Sequence, residues 1–183
     1  MCDSGVLPLG RILRKLQKFG LKPRELAIVV KISEQKLYLV KDGEIIKTYP
    51  VSTSKYGVGN QKGSHRTPLG THRIYKKIGD GAKIGAIFEH NVDTGRVATI
   101  HTDETESGED LITTRIMWLE GLEPGINRGE GIDSRDRHIY IHGTPEEWLI
   151  GKPASHGCIR MKNRDVVELF NLVREGTLVE IVE

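Results

Sequence analysis

The stretch that decides the fold is Leu26-Ala27-Ile28-Val29-Val30-Lys31-Ile32-Ser33, with the segment that follows it, Lys36-Leu37-Tyr38-Leu39-Val40-Lys41-Asp42-Gly43-Glu44-Ile45-Ile46-Lys47-Thr48-Tyr49. β-Branched and aromatic residues dominate, and from Leu26 onward the pattern reads with the two-residue period of a pleated strand. Asp42-Gly43 carries the signal of a tight hairpin. These features predict strands at 26–33, 36–41 and 44–53. Working outward, 52–70 is rich in Gly, Ser, Thr and Asn and reads as loop, while 71–78 reads as strand. The glycine-rich stretch 80–96 holds short strands and turns. Strands are expected again at 111–119 and 137–142, separated by the turn-rich 123–136, and one helical turn at 145–150. Asn163 is expected to cap a helix carrying Val166, Val167, Leu169, Phe170, Leu172 and Val173, with Gly176 as its stop and a last strand at 177–182. Upstream, Leu9, Ile12, Leu13, Leu16 and Phe19 share one helical face, opposite Arg11, Arg14, Lys15 and Lys18. The expectation is a basic amphipathic helix within 1–25, packed on the main domain or resting on an anionic surface. A single mostly-β domain at 26–183, a sandwich or barrel with a few short helices, follows it.

Composition narrows the functional classes. The chain has 183 residues, 37% hydrophobic and 28% charged, enough for one ordered core. Its 27 basic and 25 acidic side chains nearly cancel, which argues against a nucleic-acid footprint. The longest apolar run, 26–30, is too short to span a bilayer. No signal peptide is visible at the start. The two cysteines, Cys2 and Cys158, do not make a disulfide framework, and joining them would silence Cys158. Cys2 reads as an incidental terminal thiol, with lipid modification as its alternative.

The chemistry concentrates in Ile139-Tyr140-Ile141-His142-Gly143-Thr144 and Ser155-His156-Gly157-Cys158-Ile159-Arg160-Met161. A thiol among small residues, with an imidazole from the end of another strand, suits cysteine acyl transfer. The thiolate attacks a carbonyl; the imidazole takes the thiol proton and later protonates the leaving amine. His142 is the expected base, because His156 sits two residues from Cys158 on the same extended segment and cannot converge on it. His156 is then a substrate-binding or loop-ordering residue. The Gly143 carbonyl is placed to fix the His142 tautomer. The amides of Gly157 and Cys158 are candidate oxyanion donors, with Ser155 in support, each donor worth about 3 kcal/mol of barrier when well aimed. Arg160 supplies a planar cation to orient the loop or receive a substrate carboxylate. A lowered thiol pKa is expected beside a His that can hold charge.

Rival readings exist. Cys158 as an inert buried thiol is one. A zinc site drawn from His138, His142, His156 and Cys158 is another, but no paired-cysteine motif supports it, so neither metal nor cofactor is expected. The acidic run Asp103, Glu104, Glu106, Glu109 and Asp110 lacks the ligand alternation of a calcium loop and reads as a solvated surface.

His142-Gly143 together with Ser155-His156-Gly157-Cys158-Ile159-Arg160 resembles the signature of the L,D-transpeptidase catalytic domain of the YkuD type. Residues 53–61, 66–71 and 118–123 support the likeness, which extends over 26–183. The resemblance implies a predominantly β catalytic domain working on peptidoglycan stem peptides in the cell envelope. Cys158 would attack the carbonyl at the L-centre of the third-position diamino acid and expel the terminal D-alanine. An amine at the D-centre of a neighbouring stem would then complete a 3→3 cross-link. With water as acceptor the outcome is an L,D-carboxypeptidase; with a lipoprotein lysine, wall anchoring. Acylation by carbapenems is implied as well. A non-catalytic wall-binding module retaining the fold is the alternative from another class.

Overall fold

The structure, a computed structural model, describes residues 6–183; Cys2 lies outside them. Its elements run α1 (Leu9–Lys18), β1 (Leu26–Lys31), β2 (Lys36–Lys41), β3 (Glu44–Ser52), β4 (Gly70–Ile78), β5 (Ala86–Glu89), β6 (Val92–Val97), β7 (Ile112–Gly121), β8 (Tyr140–Gly143), β9 (Ile159–Met161), α2 (Asn163–Leu172) and β10 (Leu178–Val182). Short 3₁₀ turns occupy Ile32–Glu34 and Glu147–Leu149.

The strands follow the order β4-β10-β1-β2-β3-β9-β8-β7, and β4 also pairs with β7, so the sheet closes on itself. The β5–β6 hairpin extends from β7. Only β1–β10 and β8–β9 are parallel. The result is the mostly-β, barrel-like domain that the sequence pattern predicts, and closure leaves few free strand edges.

Burial explains why β1 is continuously apolar instead of alternating. Ile28 and Val30 face the interior with Leu37, Leu39, Val51, Ile74, Met117, Leu119, Ile141 and Ile159, and α2 adds Val166, Leu169 and Phe170. Ala27 and Val29 face the other way, onto Ile12 and Leu16 of α1. A strand covered on both faces needs no polar side. Burying Ile12 and Leu16 stabilises the helix by about 1.5–3 kcal/mol each. Polar anchoring adds to this: Lys15 Nζ lies 2.8 Å from both Glu123 Oε1 and Glu180 Oε1. Glu180, with its side chain only 4% exposed, also accepts from the Thr71 hydroxyl. The described residues contain no helix long and apolar enough to cross a membrane.

Two local expectations fail for identifiable reasons. Strand β8 starts at Tyr140, not at residue 137, because Arg137 and His138 close turns onto Asp133 and Arg135, and His138 takes φ +54°. Asn163 is the first residue of α2 and does not cap it. Its Oδ1 accepts from the hydroxyls of Thr113 and Thr114 at 2.6 Å, and its Nδ2 donates to Thr144 O at 2.8 Å. Buried partners in β7 and beyond β8 outcompete the local capping bond.

Candidate active site

The parallel register of β8 and β9 sets the geometry. Ile141 faces Ile159, His142 faces Arg160 and Gly143 faces Met161. Side chains alternate along a strand, so Tyr140 and His142 project to the face opposite the Ile141 core side. Arg160 projects with His142, and Cys158, two residues earlier, reaches the same face beside Tyr140. Strand β7 continues both rows, with Ile116 beside His142 and Trp118 beside Tyr140. The thiol and the strand imidazole therefore share one surface, diagonal to each other across two adjacent strands.

Cys158 occupies a tightly braced turn. Ser155 Oγ donates to Cys158 O at 2.6 Å and accepts from Gly157 N at 3.2 Å. Thr67 Oγ1 donates to Gly157 O at 3.0 Å. Gly157 sits at φ +125°, an angle that favours glycine, and a Cβ there would press on Arg66 O at 3.3 Å. The sulfur accepts from Tyr140 N and donates to His138 O, both at 3.4 Å. This corrects one expectation: the Gly157 amide is used within the turn by Ser155 and is not free for an oxyanion. The Cys158 amide, by contrast, has no hydrogen-bond partner among the described residues.

His142 is buried, and its Nδ1 lies 2.5 Å from Gly143 O. A carbonyl only accepts, so Nδ1 carries the proton and Nε2 keeps its lone pair. Gly143 must be glycine: a Cβ there would meet Asn163 Oδ1 at 2.5 Å and Thr113 O at 2.7 Å. Burial lowers the His142 pKa to about 4, against opposing contributions from the Gly143 hydrogen bond and the Asp110 charge. Burial also raises the Cys158 thiol to about 11, partly offset by the Tyr140 amide. The expected low thiol pKa is thus corrected. Burial disfavours both charged forms, leaving the thiol and the imidazole of this face neutral at rest.

Arg160 and His156 meet at a residue the sequence reading passed over. Asp110 pairs with Arg160 through Oδ1 and with His156 Nδ1 through Oδ2, the latter at 2.8 Å. Its pKa falls, although burial opposes this, because the Arg160 charge and the hydrogen bonds from Arg160 and His156 favour the carboxylate. The run 102–110 is therefore not wholly a solvated acidic surface, since its last residue reaches back to Arg160 and His156. Arg160 is buried, and its Nε has no partner. His156 stays exposed, with its ring 5.9 Å from Tyr56 and 6.0 Å from His65. A cleft of about 430 Å³ opens here, lined by Lys55, Glu109, Asp110, Trp148, His156 and Arg160. A larger groove of about 650 Å³, between the C-terminal ends of α1 and α2, is lined by none of the residues of the cysteine motif.

Arg137 also escaped the sequence reading. Its guanidinium donates to Arg66 O at 2.6 Å and Gly59 O at 3.2 Å, clamping the 59–66 loop beside the cysteine turn. It has no carboxylate partner among the described residues, and its charge favours the thiolate. The only sequence signal for either residue is position: Asp110 stands two residues before β7 and Arg137 three before β8. Among the described residues, no three His, Cys, Asp or Glu side chains converge as a metal cage.

Comparison with known proteins fits this geometry. A family model described as the L,D-transpeptidase catalytic domain, YkuD, matches residues 25–181. A Bacillus subtilis protein provisionally named L,D-transpeptidase YqjB is 41% identical over 116 residues, or 55% of this chain and 66% of its own length. The Escherichia coli YcfS, provisionally named as the same type of enzyme, is 27% identical over 161 residues, or 87% of this chain and 44% of its own. The chain thus spans less than two thirds of the length of these curated relatives. Among solved structures, a Cys-to-Ser mutant of the Enterococcus faecium L,D-transpeptidase superposes with TM-score 0.52 at 18% identity, covering 87% of this chain and 50% of that one. The LD transpeptidase LdtMt1 in complex with imipenem gives TM-score 0.51 at 21% identity, covering 86% and 58%. At such identities the structural likeness concerns the fold, whereas the family model spans nearly the whole sequence. The chain belongs to the YkuD family of L,D-transpeptidase catalytic domains.

Proposed function

We propose that the chain is a cysteine L,D-transpeptidase that forms 3→3 cross-links between peptidoglycan stem peptides in the cell envelope. The observation that carries this reading is the His142 ring. Its Nδ1 proton is committed to Gly143 O, so Nε2 is a free base on the face that also presents Cys158. In the first half-reaction, the Cys158 proton passes to His142 Nε2 as sulfur bonds to the carbonyl carbon at the L-centre of the third-position diamino acid. The Cys158 amide donates to the developing oxyanion. Collapse breaks the bond to D-alanine, whose nitrogen takes the proton from His142. In the second half-reaction, the D-centre amine of a neighbouring stem loses a proton to His142 and attacks the thioester carbonyl, and sulfur leaves and regains its proton. Water in place of the amine gives the carboxypeptidase outcome, and a lipoprotein lysine gives anchoring.

Mass spectrometry of products from purified disaccharide-tetrapeptide tests the reading. A cross-linked dimer with free D-alanine is expected, and D-alanine without dimer would overturn it in favour of hydrolysis. Cys158→Ala is expected to abolish both products, and His142→Ala to slow them by about 10² or more. Full activity in Cys158→Ala would end the assignment. Imipenem, the ligand named with the neighbour LdtMt1, is expected to add its mass to the wild-type chain and not to Cys158→Ala.

A further inference from the structure

The catalytic face carries a row of aromatic side chains that this reaction does not use. On β4 a bulge places Tyr75 and Lys76 together opposite Trp118 of β7. The rings of Tyr75 and Trp118 meet edge to face at 5.3 Å. Trp118 in turn stacks on His138 at 5.3 Å and meets Tyr140 edge-on at 5.8 Å. The row ends at the sulfur, which accepts from Tyr140 N and donates to His138 O. Its far end is open, since Tyr75 is 40% exposed and His138 is exposed as well. His138 also holds φ +54°, a costly angle for a residue with a side chain, and its stack on Trp118 helps to hold it there.

A fixed polar border runs along this shelf. The carboxylate of Glu120, nearly buried, is held by Arg73 at 2.7 Å and Arg135 at 3.4 Å. The Arg135 guanidinium lies 5.2 Å from the Tyr75 ring centre, and its carbonyl accepts from Trp118 Nε1 at 3.0 Å. Open aromatic rings edged by rigid planar donors and acceptors match a ligand with one C–H-rich face and a rim of hydroxyl and amide groups. A pyranose has that form. The border holds two cations and one anion, too little net charge to select a polyanion.

We propose that the Tyr75–Trp118–His138 shelf is a sugar subsite, binding an N-acetylated hexosamine of the glycan strand from which the donor stem peptide hangs. This deepens the transpeptidase reading and rests on it: the sugar lies over β4 and β7, and the peptide runs past Tyr140 to Cys158.

Two measurements test the proposal. Chitotetraose, a β-1,4-linked tetramer of N-acetylglucosamine, is titrated into the Trp148→Phe chain, where Trp118 is the remaining tryptophan. A saturable change in fluorescence is expected; Tyr75→Ala in the same background weakens it by about fivefold, and Tyr75→Phe preserves it. In parallel, the ratio of kcat/KM for disaccharide-tetrapeptide to that for bare tetrapeptide is expected to fall by a similar factor in Tyr75→Ala and to recover in Tyr75→Phe. No saturable response to chitotetraose, or equal binding by Tyr75→Ala and the parent, overturns the sugar subsite. Tyr75-dependent chitotetraose binding without turnover of either substrate keeps the subsite and removes the transpeptidase reading.

Discussion

The pair proposed as catalytic, Cys158 and His142, is uncharged at rest, and that shapes how the proposed reaction runs. A thiol raised to about 11 beside an imidazole lowered to about 4 does not exchange its proton before substrate arrives. In the proposed reaction the proton moves as the carbon–sulfur bond forms, when the developing oxyanion supplies the compensating charge. Slow alkylation by iodoacetamide near pH 7 is therefore expected, with the rate climbing only above the ordinary thiol range; rapid, pH-independent alkylation at neutral pH would contradict the neutral pair. Asp110 acts on both partners, because its negative charge favours their protonated forms. Asp110→Asn is expected to shift the alkylation profile of Cys158 to lower pH and the acid limb of kcat/KM to lower pH as well. A change in rate with both limbs unmoved would reduce Asp110 to a structural brace. Cys158 and His142 stand out in the sequence because short motifs carry them, and the structure brings both to one face. Asp110 does not, because it acts through Arg160, fifty residues away in sequence, and only the fold brings them together.

At the level of elements, the three-residue strand β9 follows directly on the turn that presents Cys158, so its support comes from neighbours more than from its own length. Asn163 supplies much of that support. It follows β9, begins α2, and ties the Thr113 and Thr114 hydroxyls of β7 to Thr144 just after β8. Asn163→Ala is expected to cost about 2–3 kcal/mol, since it strands several buried polar groups at once, and a lowered urea midpoint with unchanged m-value checks this. Asn163→Asp keeps the acceptor but loses the donor to Thr144 and faces Glu147, which lies 2.9 Å from Nδ2, so it is expected to rescue little. The long strands were legible by their period of two, and the Asp42-Gly43 hairpin by its turn chemistry. The role of Asn163 was not, because capping preference is local whereas its partners are tertiary. The start of β8 was misplaced for a related reason. Arg137-His138 has strand-like composition, but turn hydrogen bonds to Asp133 and Arg135 hold it.

For the whole molecule, ring closure through β4 buries a second neutral imidazole and makes stability depend on acid. His72 lies on β4, the strand that pairs with both β10 and β7. Its Nδ1 faces Gly70 O at 3.0 Å and its Nε2 faces Ser134 Oγ at 2.8 Å, and burial lowers its pKa to about 4. Both His72 and His142 thus titrate near 6.5 when unfolded and near 4 when folded. Below pH 6.5 the unfolded chain binds protons that the native one refuses, so stability is present above that pH and drains away as pH falls toward 4. Each imidazole is expected to remove about 2.5 kcal/mol by pH 4.5, a large share of a typical domain's 5–15 kcal/mol. Asp110, Glu123 and Asp133, whose pKa values are lowered, add their losses from the ordinary carboxylate pKa downward, so the imidazole window opens first as pH falls. Urea unfolding at pH 7.0, 5.5 and 4.5 checks the expectation. His72→Asn, less stable at pH 7, is expected to lose less between pH 7.0 and 4.5 than the wild type does, so that the two curves converge in acid. Parallel curves would mean that His72 binds its proton as readily in the native barrel as in the unfolded chain, and the closed ring would then owe its acid sensitivity to His142 and the carboxylates.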